Sequence, residues 1–179
     1  MTEVVKEHTI DFFKREKVVP VAIIENANDA VDIANALVDG GIHSIEVTLR
    51  TDSAKKAIKN IADNCPKMVV GAGTVLNRQQ AEEAVAAGAK FLVSPALIPE
   101  VIDYGKEKNI PVMPGCATPT EFATARKMGL SYVKFFPAEN YGGVKTIKSL
   151  ASVFPDISIM PTGGINIRNI KEYLDCSNV

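Results

Sequence analysis

The sequence predicts an α/β protein whose parallel strands are covered by helices on both faces. Three observations carry that expectation. Short β-branched runs of near-continuous hydrophobicity recur along the chain, amphipathic stretches separate them, and glycine or Asx residues punctuate the joints. Residues 1–17 read as one helix ahead of the first strand. Strand-like runs then follow over 18–24, 44–49, 68–74, 91–95, 111–117, 132–137 and 158–163. Helical patterns between them include 27–38, 53–62, 78–87 and 120–128, and Val31, Ala34, Leu37 and Val38 mark one buried helix face. Gly40-Gly41, Gly88 and Gly129 stand where helices end in a left-handed residue. Asp52, Asn77 and Asn166 stand where the next helix would be capped.

Seven strand–helix units over 18–179 at regular spacing favour a TIM (β/α)8-type barrel, with an open doubly wound sheet as the alternative. A full barrel needs an eighth unit, so the chain reads as a barrel lacking its eighth strand and closing helix. No linker, low-complexity tract or charge block divides it, and residues 1–179 are expected to form a single domain.

Composition is that of an ordinary globular protein, 46% hydrophobic and 23% charged, with 20 basic against 21 acidic residues and a net charge of −1. That balance argues against nucleic acid or an anionic membrane surface as partner. The charged N-terminus lacks a signal-peptide core, no window has the apolar length of a membrane span, and a cytoplasmic location is expected. Cys65, Cys116 and Cys176 form neither a disulfide framework nor a C-x-x-C pattern, and His8 and His43 are the only histidines. A metal site is not expected.

Two strands carry charges that an apolar layer should exclude. In Ile45-Glu-Val-Thr-Leu-Arg50, a period of two puts Glu46, Thr48 and Arg50 on one face and the aliphatic residues on the other. A Glu46–Arg50 ion pair is an unconvincing reason, because four rises separate the two by roughly 13 Å along a strand. Lys134 stands in the run Tyr132-Val-Lys-Phe-Phe136, sharing its parity with Tyr132 and Phe136. Lysine is almost never fully buried without a partner, and desolvation favours the neutral, nucleophilic amine. The plain alternative is a snorkelling or edge-strand lysine.

Glycine-rich strand ends complete the polar set. Gly71-Ala-Gly-Thr74 would let a ligand approach the backbone, with the Thr74 hydroxyl beside it. Thr162-Gly163-Gly164 ahead of a helix starting near Asn166 would present N–H groups to an anion, at the loop that often binds phosphate in barrels. A plain tight turn is the alternative.

Taken in order, Val19-Pro-Val21, Ile45-Glu-Val-Thr-Leu-Arg-Thr51, Val70-Gly-Ala-Gly-Thr-Val75 and Val93-Ser-Pro95 form an ordered motif set. It continues with Pro114-Gly115, Thr118-Pro-Thr-Glu121, Val133-Lys-Phe-Phe-Pro-Ala-Glu139, Gly142-Gly-Val-Lys145 and Pro161-Thr-Gly-Gly164. The set closely resembles the 2-keto-3-deoxy-6-phosphogluconate (KDPG) / 4-hydroxy-2-oxoglutarate (KHG) aldolases, class I barrels that work through a Schiff base. The resemblance implies Lys134 as the imine-forming lysine and Glu46 as general acid/base. It implies Arg50 and Thr74 as substrate-carboxylate and active-site contacts, Pro95 and Phe136 as pocket walls, and Thr162, Gly163 and Gly164 as lining the pocket and phosphate site.

The resemblance further implies a homotrimer without metal or other cofactor, whose partner is a small, phosphorylated 2-keto acid of the Entner-Doudoroff pathway. Two departures stand out. The family's eighth strand, with its Gly-Gly-Ser phosphate contact, is absent from this sequence, and Glu25-Asn26 replaces a basic residue common after strand one. A phosphosugar-binding barrel of another class and a non-catalytic subunit are the competing readings.

Overall fold

The computed structural model describes residues 9–179. The first helix, α1 (Thr9–Glu16), covers the described part of the expected N-terminal helix, and residues 1–8 lie outside the described residues. Lys17 closes α1 in the left-handed conformation, with its N–H donated to the Phe13 carbonyl at 2.9 Å. Phe13 is buried, its ring edge-on to Phe91 at 4.9 Å.

By backbone proximity the chain divides into two compact units, Met1–Ser94 with Ile98–Val112, and Pro95–Leu97 with Met113–Val179. In the first unit, β1 (Val21–Ala22), α2 (Ala30–Asp39), β2 (Ser44–Thr48), α3 (Ala54–Asn64) and β3 (Val69–Gly73) follow one another. Next come α4 (Arg78–Ala86), β4 (Leu92–Val93), α5 (Pro99–Lys108) and β5 (Val112–Met113), whose last residue belongs to the second unit. The sheet runs in chain order, β1-β2-β3-β4-β5, with parallel ladders that pair Val21 with Glu46, Glu46 with Gly71, and Ala72 with Leu92. Every residue of β2 is buried, as expected of a strand covered on both faces.

The second unit holds β6 (Gly115–Cys116), α6 (Pro119–Lys127), β7 (Tyr132–Phe135), a 3-10 turn (Glu139–Tyr141), α7 (Gly143–Val153), β8 (Ser158–Pro161) and α8 (Ile170–Leu174). Its sheet, β6-β7-β8, is also parallel, and pairs Lys134 with Gly115 on one side and Met160 on the other. Phe122, Val133, Phe135, Ile147, Phe154, Ile157 and Ile159 form its core.

The strands are shorter than the apolar runs that announced them, and proline is a recurring reason. Pro114 supplies no N–H, so the run 111–117 becomes two strands, β5 and β6. Proline also borders β1 at Pro20 and falls two residues beyond β4 at Pro95. In α2, Ala34 is fully buried while Val31, Leu37 and Val38 are half-buried.

Some of the expected punctuation moves. Gly41, Gly88 and Gly129 are left-handed, but Gly40 is not. Asn77 caps α4 by accepting the Gln80 N–H at 2.8 Å. Asp52 does not cap α3, because the helix starts one residue later, with Ser53 before it. Thr118 and Glu121 form a reciprocal capping box at α6, a pair that the S/T-x-x-E spacing reveals.

Candidate active site

In the first unit the polar residues gather on β2 and at the end of β3. Glu46 is 1% exposed, at the middle of the best-formed ladder of that sheet. Its carboxylate fills the space beside Gly73, where a Cβ would collide with Oε1, Cγ and Cδ of Glu46. A Cβ at Gly71 would instead strike the Phe91 ring. The two glycines expected to admit a ligand therefore make room first for an acidic side chain and an aromatic ring.

Thr48 shares the buried strand with Glu46, and its hydroxyl donates to the Ala22 carbonyl at 3.2 Å. Arg50 departs from the expected pattern. The strand stops at Thr48, so two-residue parity does not reach Arg50, which is exposed in the turn beyond. Thr74 directly follows β3 with φ of 58°, a conformation that strains a β-branched residue by roughly 1–3 kcal/mol. The neighbouring backbone enforces it, because Leu49 donates to the Gly73 carbonyl at 2.8 Å and Val75 to the Val93 carbonyl at 3.1 Å. Ser94, beyond β4, is buried with no hydrogen-bond partner for its hydroxyl among the described residues.

In the second unit Lys134 is 6% exposed on the central strand β7, and its N–H donates to the Pro114 carbonyl at 2.9 Å. Its ammonium lies 5.5 Å from the centre of the Phe136 ring, within cation–π range. Phe136 lies just past the strand, is 38% exposed, and precedes a cis bond to Pro137. Tyr132, two residues before Lys134, is buried, and burial pushes its hydroxyl pKa up. Cross-strand partners point to the same face, so Gly115 has no side chain where it would flank Lys134. The Pro95 carbonyl takes that space, since a Cβ on Gly115 would run into it.

The segment 162–164 continues the β7–β8 pairing beyond the strands. Thr162 donates to Phe135 at 2.9 Å, Ala138 donates to Thr162 at 2.8 Å, and Glu139 donates to Gly163 at 3.1 Å. A Cβ on Gly163 would sit 3.3 Å from Pro137 Cα and 3.4 Å from the Phe136 ring. Pro95, Lys134, Phe136, Thr162 and Gly163 are thus gathered at one end of this sheet. The expected helix starting near Asn166 is corrected. Helix α8 starts only at Ile170, and an Asx-rich turn intervenes, in which Asn166 and Asn169 both donate to the Gly164 carbonyl at 3.1 Å. Asn166 bonds within this turn rather than capping the helix.

Two residues without an assigned role border this loop. Glu139 accepts a hydrogen bond from the Tyr173 hydroxyl, and Tyr173 is buried on α8. Burial and then the Glu139 bond hold the tyrosine hydroxyl well above the usual phenol range. The pair is 34 residues apart in sequence and leaves no periodic signal. Among the described residues no His/Cys/Asp/Glu group could hold a metal, and no helix is long and apolar enough to cross a membrane.

Residues 9–179 match the family model described as KDPG and KHG aldolase. The chain is 44% identical over 179 residues to the 2-dehydro-3-deoxy-phosphogluconate aldolase of Pseudoalteromonas atlantica, covering all of this chain and 83% of that one. The crystal structure of the 2-keto-3-deoxy-6-phosphogluconate aldolase of Zymomonas mobilis with 3-phosphoglycerate matches with a TM-score of 0.89 and 43% identity. It covers 94% of this chain and 80% of that one. The KDPG aldolase of Legionella pneumophila, with pyruvate captured at low pH as a covalent carbinolamine intermediate, matches with a TM-score of 0.87 and 43% identity. That match covers 90% of this chain and 78% of the other.

The fold class is therefore α/β of the TIM-barrel type, and the protein is an aldolase. The chain belongs to the KDPG and KHG aldolase family.

Proposed function

We propose that this chain is a class I aldolase that cleaves KDPG to pyruvate and glyceraldehyde 3-phosphate, and also 4-hydroxy-2-oxoglutarate to pyruvate and glyoxylate. The observation that carries the proposal is a lysine 6% exposed on a central parallel strand, in a chain 43% identical to a protein in which pyruvate was captured as a carbinolamine. A carbinolamine is the adduct of an amine with a ketone, and Lys134 is the amine best suited to make one here.

In this reading the neutral amine of Lys134 attacks the C2 ketone, and loss of water turns the carbinolamine into an iminium. Glu46 takes the proton of the C4 hydroxyl, and the C3–C4 electron pair moves toward the iminium as the aldehyde leaves. Protonation of the resulting enamine at C3, then addition of water at C2, releases pyruvate and restores the amine. Arg50 and Thr74 hold the substrate carboxylate, Arg50 through charge-assisted hydrogen bonds. Pro95 and Phe136 wall the pocket, and Thr162, Gly163 and Gly164 receive the phosphate. The whole chain acts as one aldolase domain in a cytoplasmic homotrimer and uses no metal or other cofactor.

Borohydride reduction in the presence of pyruvate tests the reading by intact and peptide mass. A reduced pyruvyl adduct on Lys134, absent from Lys134→Ala, is the expected result. An unmodified Lys134 in folded protein, or sugar-phosphate binding without any adduct, would overturn it.

A further inference from the structure

The Glu139 backbone and side chain both touch the segment expected to receive the phosphate. Its N–H donates to the Gly163 carbonyl at 3.1 Å. Its side-chain stem packs beneath Gly164, where a Cβ would come within 2.6 Å of Glu139 Cβ. Few rigid-body motions of Glu139 would leave residues 163 and 164 in place.

Glu139 is itself exposed, and an exposed glutamate ordinarily has rotamer freedom. The Tyr173 hydroxyl removes that freedom, because it donates to Oε1 from a side chain only 2% exposed in the core. The backbone is shaped to admit the pair. At Gly143, φ is 54°, and a Cβ there would lie 2.9 Å from the Tyr173 oxygen and 3.0 Å from Glu139 Oε1. Gly142, also left-handed, donates its N–H to the Glu139 carbonyl at 3.2 Å. A core tyrosine on α8 is thus linked through one carboxylate to the Gly163-Gly164 backbone.

We propose that Glu139 is a positioning residue for the Gly163-Gly164 segment, and that Tyr173 fixes it so that the segment selects keto acids with a phosphate. This rests on the aldolase reading above. It separates Glu139 from Lys134, five residues earlier on the same chain segment. Lys134 makes the imine, while Glu139 touches neither the keto carbon nor its carboxylate and acts on the far end of the substrate.

The test compares two readouts in the full-length protein. One is KM and kcat for cleavage of KDPG. The other is the rate of borohydride trapping with pyruvate, which carries no phosphate. Tyr173→Phe removes the hydroxyl with little change of shape. It should raise KM for KDPG about tenfold, the equivalent of one charge-assisted hydrogen bond, while kcat and pyruvate trapping stay within about twofold. Glu139→Gln keeps an acceptor oxygen for the tyrosine and should retain a KM near that of the parent. If Tyr173→Phe does not fold, Glu139→Asp serves instead, since one methylene less withdraws the carboxylate from the hydroxyl, and the same selective rise in KM is expected. An unchanged KM, or an equal loss in both readouts, would overturn the proposal. Failure of the parent protein itself to trap pyruvate would instead refute the aldolase reading.

Discussion

Gly73 is a glycine because the Glu46 carboxylate occupies the place of its side chain. The tight fit couples the end of β3 to the one buried carboxylate on β2. Gly73→Ala should therefore destabilise the protein by about 1–3 kcal/mol, the usual cost of an extra methyl in a full core. Removing the obstructing carboxylate makes the penalty disappear, so the double variant Gly73→Ala/Glu46→Ala should be clearly non-additive in urea unfolding. Additive effects would mean that the two residues do not compete for one space.

Replacing Glu46 by Gln keeps its volume but removes the base. On the proposed mechanism, kcat for cleavage should fall about 10²–10⁴-fold. Imine formation belongs to Lys134, so pyruvate trapping by borohydride should survive. Loss of trapping along with cleavage would assign Glu46 an earlier role in the cycle.

Thr74 is held left-handed by the strand ends around it, and glycine adopts that conformation freely. Thr74→Gly should raise unfolding stability by about 0.5–1 kcal/mol, the relieved strain less the greater entropy of glycine in the unfolded chain. The same change should raise KM for the keto acid, because the hydroxyl is lost. Denaturant midpoints and steady-state kinetics on one preparation measure both effects. Stability falling with activity would mean that the hydroxyl is structural.

Acid should weaken the start of α6. Burial opposes ionisation of Glu121, but hydrogen bonds from the Ala117 N–H and from the N–H and hydroxyl of Thr118 outweigh it and hold the carboxyl below its ordinary value. A carboxyl depressed on folding contributes stability above its unfolded pKa, near 4.3 for glutamate, and loses it as pH falls through the lower folded value. Glu121→Gln should thus be less stable than the parent protein at pH 7, with the gap closing below about pH 4. Thr118→Ala should cost about 1 kcal/mol at neutral pH, as for other N-caps. Unfolding curves at several pH values measure both.

The catalytic candidates were legible because they broke a rule. Glu46 and Lys134 are charges inside apolar strands, and both are buried as that pattern requires. Arg50 was misplaced because parity says which face a residue takes but not where a strand stops, and β2 stops two residues short of it. Gly71 and Gly73 announced close approach without saying of what, since the Phe91 ring and the Glu46 side chain become visible only in three dimensions. The capping box at Thr118 lay within reach of a four-residue pattern. The Tyr173–Glu139 bond did not, for it joins residues that only the folding of α8 brings together.

Pro114 interrupts a strand yet leaves its carbonyl to the Lys134 amide. That amide proton lies on the central strand of the β6-β7-β8 sheet and can exchange with solvent only when β6 and β7 part. Deuterium uptake at this one position is therefore a clock for the opening of the lysine's own platform. It reads the rigidity beneath the amine without any turnover, so a variant that loses activity through a loosened sheet is distinguishable from one that loses it through altered chemistry.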